Sequence, residues 1–310
     1  GVVDEFFGDA LAEIRRFGED VLGKGIVVGK DTPNFVGNRI GTHAMMVPIH
    51  QMLKDGLTPE DVDALTGEPM GHPKSASFRT ADLVGLDTFI HVADNCYNAL
   101  TGDEERDVFK MPDFIRAMAE KKLLGDKTKG GFYKKVGKDI QTFDPYKLEY
   151  RAKAGDAEIK AATKSLKDVE TPGARVKKLM ADQGTAGKFA WAVVSRSLAY
   201  AARRIPEIAD DVVAIDDAMK WGYNWELGPF EMLDAVGVAA FVKRAEADGV
   251  EVPPRLRLVD TFYVEEGSRR RTRDPATMAW RDVARPEGSV DLLLRKKGGA
   301  EVERNSGVSV

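Results

Sequence analysis

The chain has 310 residues, of which 43% are hydrophobic and 31% charged, and its net charge is −4. This describes a soluble globular protein long enough for two domains or one large one, and it gives no reason to expect nucleic acid or an anionic membrane as partner. No apolar run approaches the roughly 20 residues of a membrane span; the single cysteine, Cys96, fits a reducing cytoplasm; and His43, His50, His72 and His91 show no metal-ligand spacing.

Residues 4–22 place Phe7, Leu11, Ile14 and Val21 at helical spacing, which predicts a helix with a core-facing stripe. Gly23 and Gly25 stop it. Ile26, Val27 and Val28 then read as a buried strand like the last of a parallel sheet, which either pairs with something later in the chain or belongs to a sheet that has been cut away. Thr32 as N-cap and Pro33 at the first helical position predict a helix carrying Asn38 near its start and Pro48 as a kink, closed by Gly56. Thr58, Pro59 and Asp61 have the spacing of a capping box for the next helix.

"TGEPMGHPKSASF" is a Gly- and Pro-rich loop, either a plain connector or a substrate loop; His72 within it reads as a surface residue more readily than as a base. Helices follow over Phe78–Val84, from Thr88 to about Leu100 with Asp87 as its cap, and within "MPDFIRAMAEKKLLG". "DKTKGGFYKK" predicts a glycine turn with Phe132 and Tyr133 packing into the core, and Lys127 or Lys129 could meet a phosphate at its edge. Residues 136–185 are highly charged and read as linker with some surface helix. An apolar-striped helix over Phe189–Ile208 opens a second copy of the first pattern: "ADDVVAIDDAMKWG" answers "TPEDVDALTG", and Phe78, Asp82, Val84 and Gly85 align with Phe230, Asp234, Val236 and Gly237. Asp82 and Asp234 are expected to bond locally within their helices, and Trp221 and Trp225 to build core or an inter-module contact. After about Val250 the residues read as short strands in an extended connector.

No G-x-G-x-x-G, P-loop, G-x-S-x-G or Cys-x-x-Cys occurs, so the common cofactor cradles and nucleophile motifs are not encoded here. Asn38 offers two donors and an acceptor close to the positive end of a helix, where it could polarise a carbonyl or hold a catalytic group; by spacing alone it reads more readily as a solvated or locally bonded side chain.

Taken together, "GKGIVVGKDTPNFVGNRIG", "GHPKSASFRTADLVGLDT", "LGDKTKGGFYKK" and "WELGPFEMLDAVG" resemble the C-terminal helical part of 3-hydroxyacyl-CoA dehydrogenases, above all the multifunctional enzymes of fatty-acid oxidation that join this activity to an enoyl-CoA hydratase (crotonase) domain. The likeness runs from about residue 4 to about 250. It implies a mainly α fold: two tandem helical modules of the 3-hydroxyacyl-CoA dehydrogenase C-terminal type (6-phosphogluconate dehydrogenase C-terminal-like), with a Rossmann remnant before them and a short β connector after them. The implied layout is residues 1–31 as the end of an NAD-binding domain, 32–135 as the first helical domain, 136–185 as linker, 186–250 as the second helical domain, and 251–310 as connector toward a crotonase domain that "VERNSGVSV" would lead into.

The resemblance also implies a role for Asn38, which matches the family's asparagine that holds the catalytic His and the substrate's 3-oxygen. The H-F-F-N-P stretch that carries that His has no counterpart here. Met70, His72, Pro73 and Phe78 are the implied substrate-binding residues. The G-P-F-E motif of single-function members is Ala76-Ser77-Phe78-Arg79 in the first module and survives at Gly228–Glu231 in the second, which weakens the carry-over through that loop. The implied activity is NAD-dependent oxidation of (3S)-3-hydroxyacyl-CoA by the parent enzyme, with this fragment inactive alone, cytoplasmic, and homo-oligomeric. The alternative is a non-catalytic helical oligomerisation or acyl-CoA-binding module.

Overall fold

The computed structural model describes residues 2–284 apart from 268, 275 and 276, with side chains from residue 8 onward. The segment "VERNSGVSV" therefore lies outside the described residues. Helix α1 (Val2–Arg16) runs on into a single π turn over Phe17–Val21. Its apolar stripe does not face a core: Leu11, Ile14 and Val21 are 45%, 64% and 67% exposed. Ile26–Val28 form no strand either. A strand must hand its N–H and C=O groups to a neighbour, and among the described residues the one main-chain tie from this stretch to a distant segment is the Lys30 N–H donating to the Ile208 carbonyl at 2.9 Å.

Helix α2 (Gly37–Asp55) starts later than the Thr32-Pro33 signal predicts, since Asn34 and Phe35 both take positive φ, 65° and 49°, which a right-handed helix excludes. Pro48 sits inside α2 without ending it, and Gly56 closes it at φ 69°. The capping box of α3 (Pro59–Thr66) forms as expected: Thr58 Oγ accepts from the Asp61 N–H while the Asp61 carboxylate accepts from the Thr58 N–H. Helices α4 (Phe78–Val84), α5 (Leu86–Ala99) and α6 (Asp113–Glu120) follow.

Residues 136–185 are not the expected linker. Strands β1 (Tyr133–Val136), β2 (Asp139–Asp144) and β3 (Glu149–Ala152) make an antiparallel meander. Helices α7 (Ala157–Lys164) and α8 (Pro172–Ala181) then bury Ile159, Val176 and Leu179. Few apolar residues are needed here because each short element contributes only one or two to a core that the longer helices already supply.

Helices α9 (Thr185–Arg203), α10 (Val212–Tyr223), α11 (Pro229–Val236) and α12 (Val238–Ala247) lead to a second antiparallel meander of β4 (Tyr263–Glu266), β5 (Arg269–Arg273) and β6 (Trp280–Asp282). This meander repeats the first. Tyr133 pairs with Thr142 and Tyr263 with Thr272 in the same register, and both threonines are fully buried. Phe78 meets Phe132 edge-on at 4.5 Å, as Phe230 meets Phe262 at 4.9 Å.

The aspartates that align in the sequence hold each repeat together, and not by the local bonds expected of them. Asp82 accepts from the N–H groups of Phe132 (2.7 Å) and Tyr133 (2.9 Å), and Asp234 from those of Phe262 and Tyr263 (2.8 Å each). A carboxylate at the end of a short helix thus satisfies two main-chain donors where a sheet begins. Phe262, Tyr263 and Thr272, read from the sequence as connector, are consequently bonded into the second unit. The two units meet where α2 packs along α9, with α10 also against α2.

Candidate functional site

The turn into α2 is pinned from two sides. Asn34 donates its amide to the Cys96 sulfur at 2.8 Å and accepts from the Asn95 amide at 3.2 Å, which ties the turn to α5. Lys30 donates to the Pro206 carbonyl and pairs with Asp210, both at 2.7 Å, which ties it to the loop after α9. Asn tolerates positive φ better than most residues, so Asn34 is a suitable residue to turn the chain here.

From that fixed start, Asn38 and Arg39 point opposite ways. Asn38 is exposed. Its Oδ1 accepts from the Tyr223 hydroxyl at 3.2 Å, and its amide N–H groups have no partner among the described residues. Tyr223 is the last residue of α10, and its ring lies across Gly37 and Gly41: a Cβ on Gly41 would run into the ring, and one on Gly37 would stand 3.7 Å from it. Burial pushes the Tyr223 phenol up to about 12, so it stays protonated and donates.

Arg39 is wholly buried. Its Nε donates to the Tyr200 hydroxyl at 2.5 Å, and its Nη2 to Asp103 at 2.5 Å and Glu207 at 2.9 Å. Burial opposes a charged guanidinium, but Tyr200, Glu207 and Asp103 together hold it charged. Arg204 adds a second cation on Asp103 at 2.9 Å. One turn on, His43 stacks flat on Tyr200 with ring centres 3.7 Å apart. Burial drives its pKa down to about 4, against the pull of Glu105, so it is neutral at pH 7. This layer joins α2 to α9.

The expected substrate residues part company. Met70 and His72 line a cavity of about 50 Å³ between the units, with Pro48, Val194, Trp225 and Met232 among the other walls. Phe78 does not reach it; it is fully buried against Phe132 and serves as core. Pro73 is not among its walls, and its carbonyl accepts from the Ala76 N–H at 2.8 Å to close the loop's turn. His72 is not the surface residue expected. It stacks on Trp225 at 4.3 Å, its Nδ1 lies 3.0 Å from the Thr66 carbonyl, and burial lowers its pKa to about 4. The neutral ring therefore donates from Nδ1 and carries its lone pair on Nε2. Ala44 and Pro48, six and ten residues on from Asn38, put this cavity about 9–15 Å farther along α2. Trp225 makes the inter-unit contact expected of the tryptophan pair, whereas Trp221 is 55% exposed. Lys127 is taken by Asp87, and Lys129 is exposed.

Tyr223, Arg39 and Tyr200 do not stand out in the sequence as site residues. The one signal for Tyr223 is the pair of glycines in "GNRIG": spaced i and i+4, they bare one helix face to a close neighbour. No cluster of His, Cys, Asp and Glu suited to a metal ion occurs among the described residues, and no helix among them is long and apolar enough to cross a membrane.

Residues 35–135 match the family described as 3-hydroxyacyl-CoA dehydrogenase, C-terminal domain. Over 97% of its length the chain is 42% identical to a probable 3-hydroxyacyl-CoA dehydrogenase of Bacillus subtilis, and it covers 38% of that protein. It is 25% identical to a putative fatty acid oxidation complex trifunctional enzyme of Rickettsia prowazekii, over 82% of the chain and 35% of the relative. The chain thus spans less than two fifths of the length of these relatives. Among solved structures, 3-hydroxybutyryl-CoA dehydrogenase of Escherichia coli superposes with a TM-score of 0.52 at 17% identity, over 76% of this chain and 61% of the other, a likeness of fold.

Proposed function

We propose, from the match of residues 35–135 to the 3-hydroxyacyl-CoA dehydrogenase C-terminal domain family, that the chain is the substrate-domain part of an NAD-dependent (3S)-3-hydroxyacyl-CoA dehydrogenase of fatty-acid β-oxidation. The observation that carries the reading is the state of Asn38: exposed at the start of α2, its oxygen engaged by Tyr223 and its N–H groups open. Such an amide can donate to the 3-oxygen of a hydroxyacyl thioester. The donation strengthens as that oxygen loses its proton and gains charge on the way to the ketone, which makes it worth more in the transition state than in the bound substrate.

The base and the dinucleotide site belong, in this proposal, to the longer protein. NAD supplies the hydride acceptor when bound. The described residues do not fit it: the six strands make two antiparallel meanders, and the sequence has no glycine-rich phosphate turn. The layout of the parent as a fusion with an enoyl-CoA hydratase is supported by the name of the Rickettsia relative. A homo-oligomer would have to use a face other than the α2 surface that α9 covers. The cavity bearing Met70 and His72 is the acyl wall in this reading, with Pro73 and Phe78 supporting the loop and core behind it.

The test is Asn38→Ala in the full-length protein, assayed by NAD+-dependent oxidation of (3S)-3-hydroxybutyryl-CoA. A loss of roughly 10- to 1000-fold in kcat, on the scale of one positioned donor, supports the reading. An unchanged kcat favours the non-catalytic oligomerisation or acyl-CoA-binding module instead.

A further inference from the structure

Tyr223 belongs to the second unit, yet its hydroxyl is the one group among the described residues bonded to the Asn38 side chain. The chain does several things to bring it there. Asn224 takes φ 55° and ends α10 directly after Tyr223, so the ring leaves the helix at its last turn. Gly37 and Gly41 remove the side chains that would stand in its way on α2, and at Gly41 any Cβ would overlap the ring. The hydroxyl then reaches Asn38 Oδ1 at 3.2 Å. A carboxamide has two orientations of similar shape, related by a 180° turn, that exchange a donor for an acceptor. Only one of them turns N–H toward an incoming oxygen. A hydroxyl that donates to Oδ1 selects that one.

We propose that Tyr223 is a positioning residue for the dehydrogenase site: by holding Asn38 Oδ1 it keeps the amide N–H groups turned toward the substrate's 3-oxygen, so that the second unit takes part in the chemistry of the first. This rests on the reading of Asn38 given above. Without the hydroxyl both orientations are open, and the flipped one sets a carbonyl oxygen against the substrate oxygen. Substrate affinity comes mainly from the rest of the acyl-CoA, so the effect falls on kcat and not on KM.

The experiment is a double-mutant cycle in the full-length protein, with kcat and KM for NAD+-dependent oxidation of (3S)-3-hydroxybutyryl-CoA and thermal unfolding of each variant. Tyr223→Phe keeps the ring on its glycine track and removes only the hydroxyl. It is expected to lower kcat by roughly 3- to 10-fold, the range of one neutral hydrogen bond, with KM within about twofold and an almost unchanged melting temperature. In the Asn38→Ala background the same change is expected to do nothing further, since the group it positions is gone. Gly41→Ala, which displaces the ring, is expected to reproduce the kcat loss even if it also costs stability. A kcat unmoved by Tyr223→Phe while Asn38→Ala lowers it overturns the inference and leaves the dehydrogenase reading standing, as do losses that multiply in the double variant. A silent Asn38→Ala overturns that reading itself, and the inference with it.

Discussion

Asp63 and Asp216 do the same work in the two halves of the chain. Asp63 accepts from the N–H groups of Ser77, Phe78 and Arg79 and from the Tyr133 hydroxyl at 2.7 Å. Asp216 accepts from the N–H groups of Phe230 and Glu231 and from the Tyr263 hydroxyl at 2.6 Å. Each carboxylate therefore fastens the start of a short helix to the first strand of the meander behind it.

Replacing Asp63 by Ala leaves three main-chain donors and a phenol without their acceptor. We expect a loss of about 2–4 kcal/mol in unfolding free energy, against about 1 kcal/mol for Tyr133→Phe, which removes one donor and leaves the rest satisfied. Urea denaturation of both variants is the measurement, and equal losses would show that the main-chain bonds contribute little.

The ionic layer between α2 and α9 makes a second contrast. Asp103 lies between Arg39 and Arg204, and both it and Arg39 are almost wholly buried. Asp103→Ala leaves Arg39 with Glu207 and Arg204 with Glu104 and Glu207, but it removes the one wholly buried carboxylate between the two cations and is expected to cost about 3–5 kcal/mol. Arg39→Met fills a similar volume and leaves Asp103 paired with Arg204 and Tyr200, so a loss of about 1–3 kcal/mol is expected. Denaturant midpoints in which Arg39→Met is the worse of the two would contradict this account of the layer.

Acid sensitivity should trace in part to His43. Burial takes its pKa from 6.5 to about 4 in the folded chain, with Glu105, Arg196 and Asp103 the charges around it. Above pH 6.5 both states are neutral and the fold keeps its full stability. As pH falls from 6.5 to about 4, the unfolded chain binds a proton that the folded chain does not, and stability drops by up to about 3 kcal/mol. Other groups titrate in the same window, so the quantity to compare is the difference between wild type and His43→Phe, which keeps the stack on Tyr200. The gap between their unfolding free energies should shift in favour of the variant between pH 7 and pH 4.5; a constant gap would mean that the ring protonates without penalty.

The exposed stripe on α1 predicts a third kind of behaviour. Leu11, Ile14, Phe17, Val21 and Leu22 are all open to solvent, and apolar patches of this sort promote association. Removing residues 1–22 is expected to reduce aggregation, seen by light scattering, and to leave the melting temperature within about 2 °C, because little packing is lost. A larger drop would show that α1 is held by contacts beyond those described.

Legibility from the sequence falls off with the range of the interaction. Thr58 and Asp61 sit three residues apart, and the cap they form is plain from spacing alone. The helix Phe78–Val84 and the alignment of Asp82 with Asp234 are legible for the same local reasons. What Asp82 and Asp234 bind is not, because the partners lie 50 and 28 residues on, at sheets whose strands read "YKKV" and "YVEE" and look like charged surface. Ile26–Val28 fails the other way: an apolar β-branched run names a strand only where a neighbour exists to pair with it. At the candidate site Asn38 stands out through family resemblance, whereas Tyr223 is 185 residues away and emerges only once α10 is packed on α2.

The stack of His72 on Trp225 joins the loop after α3 in one half to the loop after α10 in the other. In a pair of identical chains related by a two-fold axis, any such contact must occur twice, and every substitution strikes both sides at once. Here the two partners are encoded separately. A change at residue 72 is felt once, and residue 225 is free to be fitted to it. Within one chain the boundary between the halves is therefore free of that symmetry, and Tyr223 on one side can be fitted to Asn38 on the other without a second copy of either contact.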